Sequence, residues 1–171
     1  MAALIVAFVI QLVLICCRSV SRSVPTNFIL LGIFTLLEAF AFGFICAFYN
    51  AASCIMAAGL TAALTVALTL YALFTKTDFT VCGQLMWALG MVALVLSLFS
   101  MFLSVNNVMH TLLSGFFVMI YAVYLIFDTQ LIIGNRKYSI SMDDYIVGAM
   151  ILYLDIMMLF LELLKIFGSK D

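Results

Sequence analysis

The sequence predicts an all-α protein, a polytopic bundle of about six membrane helices forming one transmembrane domain over residues 1–171. Three observations predict it. Hydrophobic residues make up 68% of the chain and charged ones only 9%, where a soluble domain carries ~25% charged residues. The mean hydropathy is +1.34. Apolar residues also gather in long runs separated by short polar breaks, and a spanning helix takes ~17–25 residues. Strands are excluded, because the runs are too long and do not alternate.

The first segment, about 1–17, reads MAALIVAFVIQLVLICC. It has no basic leader and no small-residue cleavage site, so it is a span and not a signal peptide. RSVSRSVPTN, with the only proline (Pro25), leads into the second segment, about 27–48. YNAAS precedes the third, about 51–73, in which Ser53, Ala57, Thr61, Thr65 and Thr69 recur every four residues beside Ala58 and Ala62. Small residues at that spacing let helices approach closely in lipid. TKTDFT leads to about 81–103, SVNN to about 107–133, and GNRKYSIS to about 142–167. Ser141 to Asp144 is an S-x-x-D pattern and predicts a capping box. Its first turn, with Asp143 and Asp144, is expected to stand in water.

Charge orients the bundle. The first, third and fifth loops hold Arg18, Arg22, Lys76, Arg136 and Lys137, and the second and fourth hold no Lys or Arg. Odd-numbered loops are therefore expected in the cytosol, which puts the N-terminus on the far side and implies that an upstream helix is missing. Lys165 and Lys170 end up outside if the last segment crosses fully, and inside if it is re-entrant; both options stay open. A net charge of −1, with no basic run, argues against nucleic acid as a partner. The expected surroundings are the lipid bilayer. Cys16, Cys17, Cys46, Cys54 and Cys82 have no metal-ligand spacing and read as small packing residues, although Cys16–Cys17 beside Arg18 also fits a juxtamembrane acylation site. No cofactor is expected.

The chemistry lies in four of the eight acids, Glu38, Asp128, Asp155 and Glu162, which fall inside predicted spans that have no basic residue near their middle. A charge at the bilayer centre costs at least ~2.5–3.5 kcal/mol, so such groups need a reason. At 100° per residue, His110, Ser114, Tyr121, Tyr124 and Asp128 share an arc of ~80°, and Asp144, Gly148, Asp155 and Glu162 one of ~40°. Two polar stripes on successive antiparallel helices can face each other, and Gly148 helps them approach. Two carboxyls in contact in a dry site cannot both ionise cheaply, so Asp128 and Asp155 would share a proton and respond to pH. The plain alternative is hydrogen-bonded glue between helices: Thr35 lies one turn from Glu38, and Lys165 stands at i+3 from Glu162. Depth is a difficulty, because Asp128 lies ~9 Å from its loop and Asp155 ~20 Å past Ser141. An aspartyl protease is not expected, since the second aspartate sits in LYLDI and no proline follows Pro25. The chain is not expected to be an enzyme.

The run FDTQLIIGNRKYSISMDDYIVGAMILYLDIMMLFLELLKIFG resembles the closing segment of the transmembrane Bax inhibitor motif (Bax-inhibitor/lifeguard) family. P-T-N before the second segment, FTLLEAFAFG within it and TKTDFT extend the resemblance over nearly the whole chain. FTLLEA is most similar to the Golgi-type branch, and DTQLIIGNRKYSIS to the lifeguard branch. The resemblance implies a seven-helix fold with the last helix central, of which this chain lacks the first helix. It also implies a calcium leak across an endoplasmic reticulum or Golgi membrane, with Ca²⁺ as the permeant ion, gated by pH, and protection from cell death. Asp128 and Asp155 match the proton-sensing pair. Arg18, with Arg22 as a substitute, matches an arginine that latches onto it. Glu38 and Glu162 would line the cation path; an acid-lined interior favours cations, and Ca²⁺ takes oxygen ligands. The alternative is a non-conducting regulator that suppresses cell death through other apoptosis-regulating membrane proteins.

Overall fold

The structure, a computed structural model, describes residues 2–102, 107–134 and 136–169. The described chain is helical without strands: α1 (Ala2–Cys16), the short α2 (Arg18–Ser21), α3 (Thr26–Cys46), α4 (Ala51–Phe74), α5 (Gly83–Phe102), α6 (Asn107–Ile133) and α7 (Tyr145–Phe167). One-turn 3-10 segments, Phe79–Cys82 and Met142–Asp144, lead into α5 and α7. Ser104, Val105 and Asn106 of the fourth loop, and Lys170, lie outside the described residues.

Five stretches are long and apolar enough to cross a membrane: Thr26–Cys46, Ala51–Phe74, Phe79–Ser100, Val108–Ile133 and Met142–Phe167. The protein is an all-α polytopic membrane bundle. The expected first span is a shorter apolar helix, Leu4–Cys16, which covers ~20 Å of a ~30 Å hydrocarbon core.

Helix starts follow from short polar side chains. Asn50 caps α4 by accepting from the Ala52 amide at 2.9 Å. Asp78 accepts from the Thr80 amide (2.9 Å) and hydroxyl (2.6 Å) at the turn before α5. Ser141 accepts from the Asp143 amide at 3.3 Å, but the expected capping box is only half made. Both Asp144 oxygens are taken by Arg22 instead, so Asp144 is buried and only Asp143 is exposed.

The last helix is the centre of the bundle: α7 packs on α6 over the largest interface and also touches α4, α3 and α1. A Cβ at Gly148 would come within 3.2 Å of the Ile132 side chain, so the glycine sets how close α7 and α6 lie. On α4, Ser53, Ala57 and Thr61 are buried and Ala57 joins a core with Leu159, Leu163 and Leu164, whereas Ala58 and Ala62 face outward. The small-residue face is thus a helix-packing face.

The α7 C-terminal end is tied to the second loop. The Asn50 amide donates to the Ser169 carbonyl (3.0 Å), and the Ser169 amide to Ser53 Oγ (3.1 Å). The last segment therefore runs the length of the bundle, ending opposite the first, third and fifth loops. α7 does not turn back toward those loops.

Candidate functional site

The shared end of the first, third and fifth loops is a dense polar rim. Gln130, in the last turn of α6, is fully buried. Its amide nitrogen donates to the carbonyls of Ala72 (3.1 Å) and Thr77 (3.0 Å), and its oxygen accepts from the Phe79 amide (2.8 Å). Arg136 donates to the Thr75 carbonyl at 2.6 Å, and the Lys137 amide to Asp78 at 3.0 Å. TKTDFT and the loop after α6 thus interlock through backbone groups that would otherwise lack partners. The Thr80 hydroxyl, the Lys137 amide and Arg136 together hold the Asp78 carboxyl below its ordinary value. Across the rim, Arg22 grips Asp144 with two charge-assisted bonds of 2.8 Å, which keep the guanidinium more firmly protonated than usual. Asn27, fully buried, donates to both the Ser21 carbonyl and Tyr145 Oη, each at 3.1 Å.

Below the rim, the α6 and α7 stripes face each other. Asp144, just before α7, and Gly148, Asp155 and Glu162 on it are all buried; Ser114 and Asp128 are buried on α6, and His110 is exposed near its start. Asp128 (7% exposed) and Asp155 (9%) lie inside the bundle and not against lipid, with their carboxyls in hydrogen-bonding contact. The depth difficulty is resolved by register. Gly148 sits against Ile132, so Asp155, seven residues on, is level with residue 125. That leaves three residues, or ~4.5 Å, along the axis, which two side chains can span.

The pair is poor in donors. Asp155 Oδ2 is buried with no hydrogen-bond donor among the described residues, as are Glu162 Oε2 on α7 and Thr65 Oγ1 on α4. The ion pairs among the described residues lie elsewhere, at Arg22–Asp144 and Lys165–Glu162. A shared proton, or a cation, is what such oxygens lack.

The other expected residues are placed as follows. Arg22 is on Asp144 at the rim, not on the aspartate pair, and Arg18 is exposed beside it. Arg22, the substitute for Arg18 in the expected latch, is thus drawn off by a carboxylate nearer the surface. Glu162 Oε1 accepts from Lys165 at 2.6 Å. Glu38 is half-buried, on a cavity of about 380 Å³ between α1, α3 and α7 that Gln11, Phe42 and Met158 also line. Thr35 gives its proton to the Leu31 carbonyl (2.8 Å), so it is not the donor for Glu38. A second cavity, of about 340 Å³, touches Asp155 between α5 and α6, past Tyr121 and Tyr124. Tyr124 Oη donates to the Met86 carbonyl, and Gly90 leaves it the room to do so.

Gln130 and Asp78 are the rim residues that the sequence left without a role, and Asp144, expected as a cap and stripe residue, is instead the partner of Arg22. The signal was present: a glutamine near the end of an apolar helix, and an aspartate on the same arc as Asp155.

The chain matches, over residues 1–171, the family described as inhibitor of apoptosis-promoting Bax1. It is similar to protein lifeguard 3 of Mus musculus, 36% identical over 169 residues, covering 97% of this chain and 55% of that protein. Protein lifeguard 3 of Homo sapiens is 35% identical over 166 residues, covering 95% and 53%. Protein LIFEGUARD 4 of Arabidopsis thaliana is 34% identical over 150 residues, covering 86% and 59%. The chain thus spans little more than half the length of these relatives.

Proposed function

The chain belongs to the family of inhibitors of apoptosis-promoting Bax1, and from that premise we propose that it is an anti-apoptotic regulator in an endoplasmic reticulum or Golgi membrane. We assign it a calcium leak controlled by the Asp128–Asp155 pair. The observation that carries this reading is the pair itself: two carboxyls in contact inside a membrane bundle, with no basic residue ion-paired to either among the described residues. Such a pair has one role for a proton and another for a cation. Protonated once, it is closed by a hydrogen bond between the two acids. Stripped of its proton, it is a repulsive, oxygen-rich site in low dielectric, suited to a hard cation. Glu162 Oε2 and Thr65 Oγ1 are further buried oxygens with no hydrogen-bond partner among the described residues, on helices that pack together.

The direction of the pH response follows from which ionic contact closes the bundle. Repulsion within the pair would open it as pH rises. Against that, the Arg22–Asp144 bonds tie the entry of α3 to the start of α7, the helix that carries Asp155, and they are strongest while Asp144 is ionised. Arg22 favours the ionised form of Asp144, so this latch loosens only in strong acid, where the leak rises. The response nearer neutrality belongs to the Asp128–Asp155 pair.

The test is Ca²⁺ flux through purified protein in liposomes as pH is lowered on the rim side. Flux should respond to pH near neutrality and Asp155→Asn should flatten that response, whereas the rise in strong acid should be lost in Arg22→Ala. Absence of flux at every pH, with binding to apoptosis-regulating membrane proteins intact, would leave the non-conducting regulator. A pH response unchanged by Asp155→Asn would make the pair structural.

A further inference from the structure

Three of the five cysteines gather at the rim end of the bundle. Cys16 and Cys17 close α1, and Cys82 follows the third loop. The other two meet at the opposite end. Cys46 is the last residue of α3 and Cys54 lies in the first turn of α4, on either side of the loop Ala47–Asn50. The Cys54 thiol lies 3.7 Å from the Cys46 carbonyl oxygen, and the two thiols are themselves in hydrogen-bonding contact. Both are half-buried and free, packed with Tyr49 against Leu159, Leu163 and Leu164.

We propose that Cys46 and Cys54 form a dithiol modification site that a small-molecule disulfide of the glutathione type converts to an intramolecular disulfide. Packing alone asks only for small apolar side chains; it does not ask that two thiols touch across a helix–loop–helix turn. The location suits oxidation as well. The second loop carries no Lys or Arg, so charge puts it on the non-cytosolic side, where disulfides form and persist. The compartment rests on that orientation, whereas the chemistry rests on the contact alone.

The reaction balances as two thiol–disulfide exchanges. One cysteine thiolate attacks a sulfur of the reagent, forming a mixed disulfide and releasing one small thiol. The second thiolate attacks the protein sulfur of that mixed disulfide and releases the other. Two protein S–H bonds are lost and one S–S bond is formed. The reagent is reduced, leaving with both electrons and both protons as two thiols. The bond closes the α3–α4 turn beside Asn50 and Ser53, the two residues that hold Ser169 at the end of α7.

The experiment treats the purified, folded full chain with oxidised glutathione, cleaves between the cysteines at Phe48 or Tyr49, and reads the fragments by mass spectrometry. The expected product is a Cys46–Cys54 link, two hydrogens lighter than the separate fragments. It should exceed mixed disulfides at these positions at least ~10-fold, because the second exchange is intramolecular. Cys82, away from the pair, should carry glutathione instead. Cys46→Ser should abolish the link and leave Cys54 glutathionylated. Separate mixed disulfides on both Cys46 and Cys54 would overturn the proposal. So would two thiols that stay free while Cys16 and Cys17 react, because they would then be packing residues only.

Discussion

At the rim, Gln130, Arg136, Asp78 and Asp144 each meet groups of the opposite polarity, whereas just below it the Asp128 and Asp155 carboxyls meet each other and Asp155 Oδ2 meets no donor among the described residues. Both regions are polar and at least partly buried, and α6 contributes to both. The difference is in donor supply. A buried acceptor with its donor built in rigidifies the fold, whereas one without waits for a proton or a cation from outside. Structure and chemistry are thus separated along one helix: Gln130 is structural, and Asp128, two residues earlier, is the candidate for function.

The first way to break this contrast is to strip the rim. Gln130→Ala leaves two carbonyls and one amide without their partner. At about 1–3 kcal/mol for each buried orphan, partly relieved by water, it should cost about 3 kcal/mol, read as a lowered thermal midpoint in detergent. If Gln130→Ala unfolds no earlier than wild type, the rim is not what holds the third and fifth loops.

Asp155→Asn does the reverse, because it adds a donor where one is missing. The new amide can bond Asp128, so stability should hold or rise by about 1 kcal/mol while the pH response of flux is lost. A marked drop in midpoint would mean that Asp155 is already satisfied in the native protein.

Arg22→Ala removes a bidentate pair, but the arginine side chain is 37% exposed. Solvent screening therefore keeps the loss of stability small. Leak at neutral pH should nonetheless increase, and Arg18→Ala, which removes no ion pair seen here, should change it less. Equal effects of the two substitutions would argue against a latch at Asp144.

Glu38→Gln should move the midpoint by no more than ~0.5 kcal/mol and lower Ca²⁺ flux if Glu38 borders the cation path. Unchanged flux assigns it to packing. The smallest effect belongs to Asp78. Its carboxyl is held below the ordinary value of 3.8 by Thr80, Lys137 and Arg136, so its contribution is present above that value and is lost as pH falls through the lowered native one. Wild type should therefore be slightly more stable than Asp78→Asn at neutral pH, with the two converging in acid. A gap that persists at low pH would mean that the charge is not what matters.

Much of this was legible along the chain. Apolar runs of spanning length dictate helices, because a backbone in lipid must satisfy its own hydrogen bonds. The 100° rotation places Asp155, Gly148 and Glu162 on one face whatever the neighbours are. What the chain alone determined was therefore the membrane class, the long helices and the face each acid occupies. Partner choice is a different matter, since it depends on distance across the bundle. Arg22 could have reached the aspartate pair or Asp144, 122 positions away, and only the packed rim decided for Asp144, the acid nearer the surface. Thr35 stood one turn from Glu38, yet bonded its own helix. The axial offset between Asp128 and Asp155 was likewise open until Gly148 met Ile132, and the direction of the tail until Asn50 and Ser53 bound Ser169. Local geometry repeats from residue to residue and can be read in order, whereas a contact between distant residues exists only once every helix has taken its place.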